Sequence, residues 1–331
     1  MTSKEIIRRV ITFDAPPRMG LTFNAPYFSD IRWISAGKLV NRTFDVYAEW
    51  GRHPELLSSV PDFEGEVRAD SFGNIYGRLE GKTKGECIKG ALQDGWELAD
   101  CLELPVLEDD EAPPPSDAFS ICGSVSIFST LRDIRRIDSA LTDTILEPER
   151  VAAFLERVKT LSLTMVRAAA KCGADGIQMA DDWGTQIATL ISPAVFRKLF
   201  KPVYRAIAEE IHRNGMLFLL HSCGCIDAFI EDLIDAGIDV LQLDQPELMG
   251  VEYLGKTYGG RVSFWCPVDI QKIMATGNRT LIEDGARRMT DALYRGGGFI
   301  AKDYSAWQDI DVADEWAGWA RDVFLKRADM L

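Results

Sequence analysis

Histidine is scarce in this chain, with three among 331 residues, and several features that would each point to a function are missing. No run of lysine and arginine occurs and the formal net charge is −14. The broad phosphate-neutralising surface that nucleic-acid binders need is therefore lacking, and an anionic membrane is a poor partner. No apolar run approaches the roughly 18 residues of a membrane span. The opening MTSKEIIRRVITFDAPPR scatters charges where a secretory leader would be apolar, so a cytoplasmic location is expected. No glycine-rich phosphate turn follows the first extended segment, which argues against an open, doubly wound nucleotide-binding sheet. The seven cysteines are an odd number, and in a reducing compartment thiols stay free or bind metal rather than pair.

What is present suits one large α/β domain. The hydrophobic fraction of 47% is enough for a sizeable core, and single α/β barrels reach this length. Lys4 to Val10 reads as a short helix, and residues 60–80 alternate Val67, Phe72, Ile75 and Tyr76 around Gly73 as a hairpin would. A helix is expected from about Gly90 to Leu102. The acidic, proline-rich EDDEAPPPSD, Glu108 to Asp117, is an exposed connection. Beyond it an apolar run ending in small or polar residues and then a long amphipathic segment recur several times, from AFSICGS to GGFIAKDYS. That alternation predicts parallel strands joined by helices and, without a nucleotide turn, a closed barrel.

In such a barrel the carboxyl ends of the strands and the loops after them form the active face. Those positions hold Asp181, Asp182 and Trp183; His221 and Cys223; Asp244 and Gln245; Cys266 and Asp269; and Lys302, Asp303 and Tyr304. In FLLHSCGC, Phe218 to Cys225, an extended backbone turns His221 and Cys223 to one side, within reach of one ion. Zinc takes nitrogen and sulfur ligands tetrahedrally, and a catalytic zinc keeps three protein ligands and one open position. Cys266, at a strand end between Trp265 and Pro267, is the expected third ligand, with Asp181, Asp182 and Asp303 as oxygen alternatives. Cys225 is in phase with Cys223, but the chain should be turning away there. Against the metal reading, buried cysteine is a common core residue and a strand-end histidine is often structural. Cys87, Cys101, Cys122 and Cys172 have no such partners and read as packing residues.

HSCGCIDAFIEDLIDAGIDVLQLDQPE resembles the H-x-C-G segment, helix and following strand of the uroporphyrinogen decarboxylase superfamily. GADGIQMADDWGTQIATLISPAVFRKLFKPVYRAI is similar to that superfamily's preceding strand, its D-D-W-G-x-Q loop and its I-S-P helix start. VDIQ, Val268 to Gln271, and the opening TSKEIIRRVI are similar too. The resemblance implies a TIM-type (β/α)8 barrel with an N-terminal helical and hairpin extension, a single barrel domain over residues 1–331. Residues 1–115 would contain the extension and the first barrel strand, and residues 116–331 most of the barrel. The superfamily has two chemical branches. Its decarboxylases share an early R-Q-A-G-R whose arginines grip a polycarboxylate. The corresponding RMGLTFNAPYFSDIRW keeps Arg18 and Arg32 in another arrangement, which argues against porphyrinogen decarboxylation.

The other branch comprises zinc methyltransferases that work with a corrinoid protein. Those that activate thiols carry H-x-C and a cysteine on the last barrel strand; GGFIAKDYSAW has none, leaving Cys266 or Asp303 to complete the shell. Relatives that demethylate methyl ethers suit the chain better. The resemblance thus implies a zinc-dependent methyltransferase moving a methyl group from a small donor, a methoxylated aromatic or other methyl ether, to the Co(I) of a corrinoid protein. It leaves as alternatives a thiol-activating methylcorrinoid methyltransferase, a metal-free decarboxylase-like lyase, and a non-catalytic barrel that binds a corrinoid protein or small ligand. In the leading scheme zinc at His221, Cys223 and Cys266 stabilises the charge that develops on the ether oxygen. Trp183, Trp265 and Tyr304 would wall an aromatic substrate, or else pack against the barrel's helices. Asp181 or Asp182 would ligate the ion, orient His221, bond a substrate hydroxyl, or cap a helix. Lys302 would neutralise a substrate carboxylate or pair with Asp303, and Gln245 would join the pocket or start a helix, as Asp269 would cap one. No D-x-H-x-x-G corrinoid-binding segment occurs, so the carrier is expected to be a separate protein. A homodimer is compatible with the resemblance.

Overall fold

The computed structural model describes residues 1–79 and 85–330. Helix α1 (Ser3–Thr12) starts on a reciprocal cap in which the Glu5 amide donates to Thr2 Oγ1 and the Thr2 amide to Glu5. Strands β1 (Gly20–Thr22), β2 (Ile31–Ile34), β3 (Gly37–Val40) and β4 (Tyr47–Gly51) follow. The short helix α2 (Pro54–Leu57) precedes β5 (Glu66–Ala69), β6 (Ile75–Arg78), β7 (Glu86–Lys89) and β8 (Val106–Asp109). From β9 (Phe119–Gly123) strands and helices alternate, first with α3 (Phe128–Arg135), α4 (Ile137–Leu146) and α5 (Pro148–Lys171). Next come β10 (Gly176–Ala180), α6 (Pro193–Leu199), α7 (Lys201–Arg213), β11 (Leu217–His221) and α8 (Asp227–Ala236). The chain ends with β12 (Val240–Gln242), α9 (Val251–Tyr258), β13 (Ser263–Cys266), α10 (Arg279–Leu293), β14 (Phe299–Lys302) and α11 (Asp314–Ala328).

Eight of these strands form one parallel sheet in the order β1-β14-β13-β12-β11-β10-β9-β2. Its two ends meet through the β1–β2 connection, where Asp30 N donates to Leu21 O and Phe23 N to Phe28 O. The result is a nearly closed TIM-type barrel, as the alternation and the resemblance imply.

Two hydrophobic clusters show how it is filled. Inside the barrel, Phe119, Ile121, Leu217, Leu219, Val240, Trp265 and Ile300 pack with Ile6, Ile7, Val10 and Ile11 of α1. The apolar face of α1 therefore plugs the end opposite the strand carboxyl ends, and Ser263 Oγ donates to the Ile11 carbonyl there. A larger cluster lies between strands and helices and takes the alternate residues, among them Phe218, Leu220, Phe264, Cys266, Phe299 and Ala301. Period-two alternation thus assigns each strand residue to the barrel interior or the helix layer.

The N-terminal extension adds an antiparallel sheet, β4-β5-β6-β7. The expected hairpin is β5–β6, turned by Asp70, whose carboxylate accepts from the Phe72 and Asn74 amides, and by Gly73 at φ +85°. Residue 80 of that stretch, and Leu331, lie outside the described residues. The helix expected from Gly90 to Leu102 is instead a series of turns. Its opening amides are engaged elsewhere: Ala91 N donates to Asn74 Oδ1 and Leu92 N to Ile134 O, and the Trp96 indole is pulled toward Asp143. Glu108 and Asp109 of the acidic, proline-rich stretch belong to β8 and pair with Lys38 and Gly37 of β3, and residues 110–117 connect β8 to β9.

Candidate metal centre at the barrel mouth

The loops after β10 and β11 cross at two glycines. A Cβ on Gly224, at φ +81°, would lie 2.3 Å from the Gly184 backbone, so only glycine permits the crossing. The loops are then laced together: Gly184 N donates to Cys223 O, Cys225 N to Thr185 O, and Trp183 N to Ser222 Oγ. Asp182 is thereby set beside β11, and its Oδ1 accepts from Cys223 N at 2.9 Å.

Strand phase completes the site. Gln178 of β10 and Leu217 and Leu219 of β11 face inward, and Asp182, His221 and Cys223 continue those phases. His221 Nε2 lies 3.3 Å from Asp182 Oδ1 and 3.4 Å from Cys223 Sγ. The three donor atoms lie within 4.8 Å of one another, a combination of oxygen, nitrogen and sulfur that one ion could bridge. His221 Nδ1 is buried with no hydrogen-bond partner among the described residues.

Electrostatics keep His221 and Cys223 protonated and Asp182 ionised. Burial acts to lower the His221 pKa, but the Asp182 carboxylate and Cys223 outweigh it and carry it up to about 10. Burial opposes ionisation of Asp182 as well, yet the bond to His221 holds its carboxyl well below the ordinary range. The Cys223 thiol is pushed up by burial, only partly offset by His221.

The site opens into a cavity of about 820 Å³, at the upper end of ordinary small-ligand sites. Trp265 and Tyr304 line it, as do Lys302, Asp303 and Asp244. Phe23, Trp33, Gln178 and Gln242 also line it, none of which sequence reasoning singled out. Continuing the inward phase of β10 and β12 would have found the two glutamines.

Several expected residues lie elsewhere. Cys266 is fully buried on the helix side of β13, because Trp265 takes the inward position, and burial pushes its thiol up to about 12. It is not in the donor group. Trp183 is not a pocket wall: it is fully buried, stacked on Phe128 at 4.1 Å, edge-on to Phe196, Phe200 and Phe229, and donates to Tyr204 Oη. Asp181 points away from the cavity and accepts from the Ile127 and Ser129 amides at the start of α3 and from Tyr204. It is a cap, for α3 and not for the helix that follows it.

Lys302 pairs with Asp244 rather than Asp303, and Asp303 pairs with Arg321. Gln245 lies outside the cavity lining and bridges Gly224 N to Gln271. Asp269 accepts from the Gln271 and Lys272 amides, capping a turn, not a helix. Cys225 is outside the donor group, and Cys101 is exposed, not a packing residue.

Comparison with known proteins adds four findings. The model of the family Uroporphyrinogen decarboxylase (URO-D) matches residues 118–302, more than half of the chain. Uroporphyrinogen decarboxylase 2, chloroplastic, of Arabidopsis thaliana is 28% identical over 100 residues, 30% of this chain and 24% of its own length. The uroporphyrinogen decarboxylase of Magnetococcus marinus is 25% identical over 150 residues, 44% of this chain and 40% of its own length. The matches thus span well under half of these relatives. A solved methyltransferase from Methanosarcina mazei shares the fold, with a TM-score of 0.52 and 16% identity over 67% of this chain and 73% of that one.

Proposed function

Since the chain belongs to the uroporphyrinogen decarboxylase family, we propose that it is a zinc-dependent methyltransferase. Its methyl donor would be a methoxylated aromatic or other methyl ether, and its acceptor the Co(I) of a separate corrinoid protein. The observation that carries this reading is the grouping of Asp182, His221 and Cys223 donor atoms within 4.8 Å at the mouth of the barrel. Those residues would hold the ion, with Asp182 taking the place first expected for Cys266. Bound there, zinc would supply Lewis-acid stabilisation of the charge that develops on the ether oxygen, while the corrinoid accepts the methyl group.

The chain's own residues have separate tasks. Asp182 keeps its oxygen toward His221 because its loop is fastened to β11 through Gly184 and Gly224. The His221 imidazole and Cys223 thiol must give up protons before they can act as donors. Trp265, Tyr304 and Phe23 offer apolar ring surface for an aromatic substrate, and Trp33, 60% exposed, stands at the rim. A carrier protein would reach the bound methyl group through the open mouth.

The fold shared with the Methanosarcina mazei methyltransferase is compatible with this assignment. A metal-free lyase acting on a polycarboxylate is disfavoured, because the cations at the cavity wall are already taken by Asp182, Asp244 and Asp303 and are not free to receive its carboxylates. The test is metal analysis of protein purified without chelators, then a methyl-donor screen with a reduced corrinoid carrier. One zinc per chain and methylation of Co(I) by a methyl ether are expected; protein without stoichiometric zinc refutes the proposal.

A further inference from the structure

The cavity's charges already cancel within its own wall. Among the described residues that line it, the acidic side chains are Asp182, Asp244 and Asp303, and the cationic ones are Lys302 and, when protonated, His221. Lys302 Nζ lies 3.0 Å from Asp244 Oδ1, with the two side chains 11% and 7% exposed. The same oxygen accepts from Gln242 Nε2 at 2.7 Å. Lys302 is also held over the Trp265 ring, 5.6 Å from its centroid. Asp303 is matched by Arg321 from α11, at 3.1 Å. A divalent ion held by the Asp182 carboxylate, the Cys223 thiolate and a neutral His221 would add no net charge. Among the described residues that line the cavity no cation is left to receive an anionic substituent, and a carboxylate taken out of water without one is strongly disfavoured.

A second observation concerns hydrogen bonding. Gln178, on the inward face of β10, lines the cavity, and its buried Oε1 has no hydrogen-bond partner among the described residues. A buried acceptor without a donor is costly, so a ligand that brings an O–H to this position is favoured. A phenolic hydroxyl supplies that donor; an ionised carboxylate offers only acceptors.

Resting on the reading of the site as one that cleaves methyl ethers, we infer that its substrate is an uncharged methoxyarene bearing a hydroxyl group, a methoxyphenol rather than a methoxybenzoate. The Lys302–Asp244 pair excludes the acid and Gln178 selects the hydroxyl.

The experiment is isothermal titration calorimetry at neutral pH on the protein as purified, without corrinoid carrier, using three probes. They are 2-methoxyphenol; 4-hydroxy-3-methoxybenzoate, which adds a carboxylate; and 1,2-dimethoxybenzene, which lacks the hydroxyl. The phenol should bind about tenfold or more tighter than the benzoate, and also tighter than the dimethoxy compound. Asp244→Asn, which leaves Lys302 without its counter-ion, should raise affinity for the benzoate and close that gap. Equal or tighter binding of the benzoate to the unchanged protein overturns the inference, as does binding of none of the three. A folded Asp244→Asn variant with no gain for the benzoate overturns the charge account. Failure of methyl transfer with the order of affinities preserved removes only the methyltransferase reading. Methyl transfer with the order reversed removes only the substrate preference.

Discussion

Zinc binding to the trio should be unusually dependent on pH. In the metal-free protein the His221 proton is held up to about 10, and the Cys223 thiol lies above its ordinary value. A metal takes a neutral imidazole and a thiolate, so at neutral pH binding must expel a proton from each. With both groups protonated, the apparent binding constant should rise by about two logarithmic units per pH unit, roughly 3 kcal/mol. A histidine at its ordinary 6.5 would be largely neutral by about pH 8, and the slope would then approach one. The assay is competition with a chromophoric zinc chelator between roughly pH 7 and 8.5, corrected for the chelator's own protons. Asp182→Asn removes the carboxylate that holds the His221 proton, so the variant should bind zinc more weakly and with a slope nearer one. A slope near one in the unchanged protein, or a slope that Asp182→Asn does not alter, would refute the account of His221 as a charged partner of Asp182.

The same pair should make the metal-free protein sensitive to alkali. The folded His221 value, about 10, lies above the ordinary 6.5, so its contribution to stability is complete below about 6.5 and lost as pH rises through about 10. Thermal midpoints across that range should fall, and fall less in Asp182→Asn; equal slopes would exclude the pair as the cause. Trp183→Ala should cost about 3–5 kcal/mol in denaturant unfolding, because it empties a fully buried aromatic stack. Trp265 lines the cavity, so Trp265→Phe should weaken binding of an aromatic ligand in calorimetry; unchanged affinity would remove it from the substrate wall. Cys266→Ala should keep its zinc and lose on the order of 1 kcal/mol, as for a small core residue. Loss of zinc from that variant would restore Cys266 to the ligand set.

The barrel was legible in the sequence because its signal repeats. Each apolar run before a long amphipathic segment repeated the same βα unit, and the missing nucleotide turn separated the closed barrel from an open doubly wound sheet. The extension was harder to read, since its structure depends on contacts distant in sequence. The stretch from Gly90 to Leu102 has the composition of a helix, but Leu92 N bonds to Ile134 O and Trp96 to Asp143, in partners far along the chain. Local propensity had no access to those bonds. The role of α1 was hidden for the same reason: its amphipathic face is plain, but a helix that plugs a barrel reads like any surface helix.

The site was half legible, and the missing half follows from the physics of parallel strands. A strand buried on both faces reads as a continuous apolar run, so SFWC does not reveal which of its residues point inward. Trp265 occupies the inward position and sends Cys266 into the helix layer; the opposite phase would have turned Cys266 toward the barrel interior. His221 escaped this ambiguity because Cys223, two residues on, shares its face whichever way the strand is turned. Asp181 and Asp182 were likewise indistinguishable as neighbours, and only the inward phase of Gln178 separates them. The deciding feature is not a ligand at all. Gly224 and Gly184 let two loops touch backbone to backbone, which places Asp182 Oδ1 at 2.9 Å from Cys223 N. The glycine in H-S-C-G therefore belongs to the candidate donor group as firmly as the histidine and cysteine do, because without it the carboxylate has no path to them.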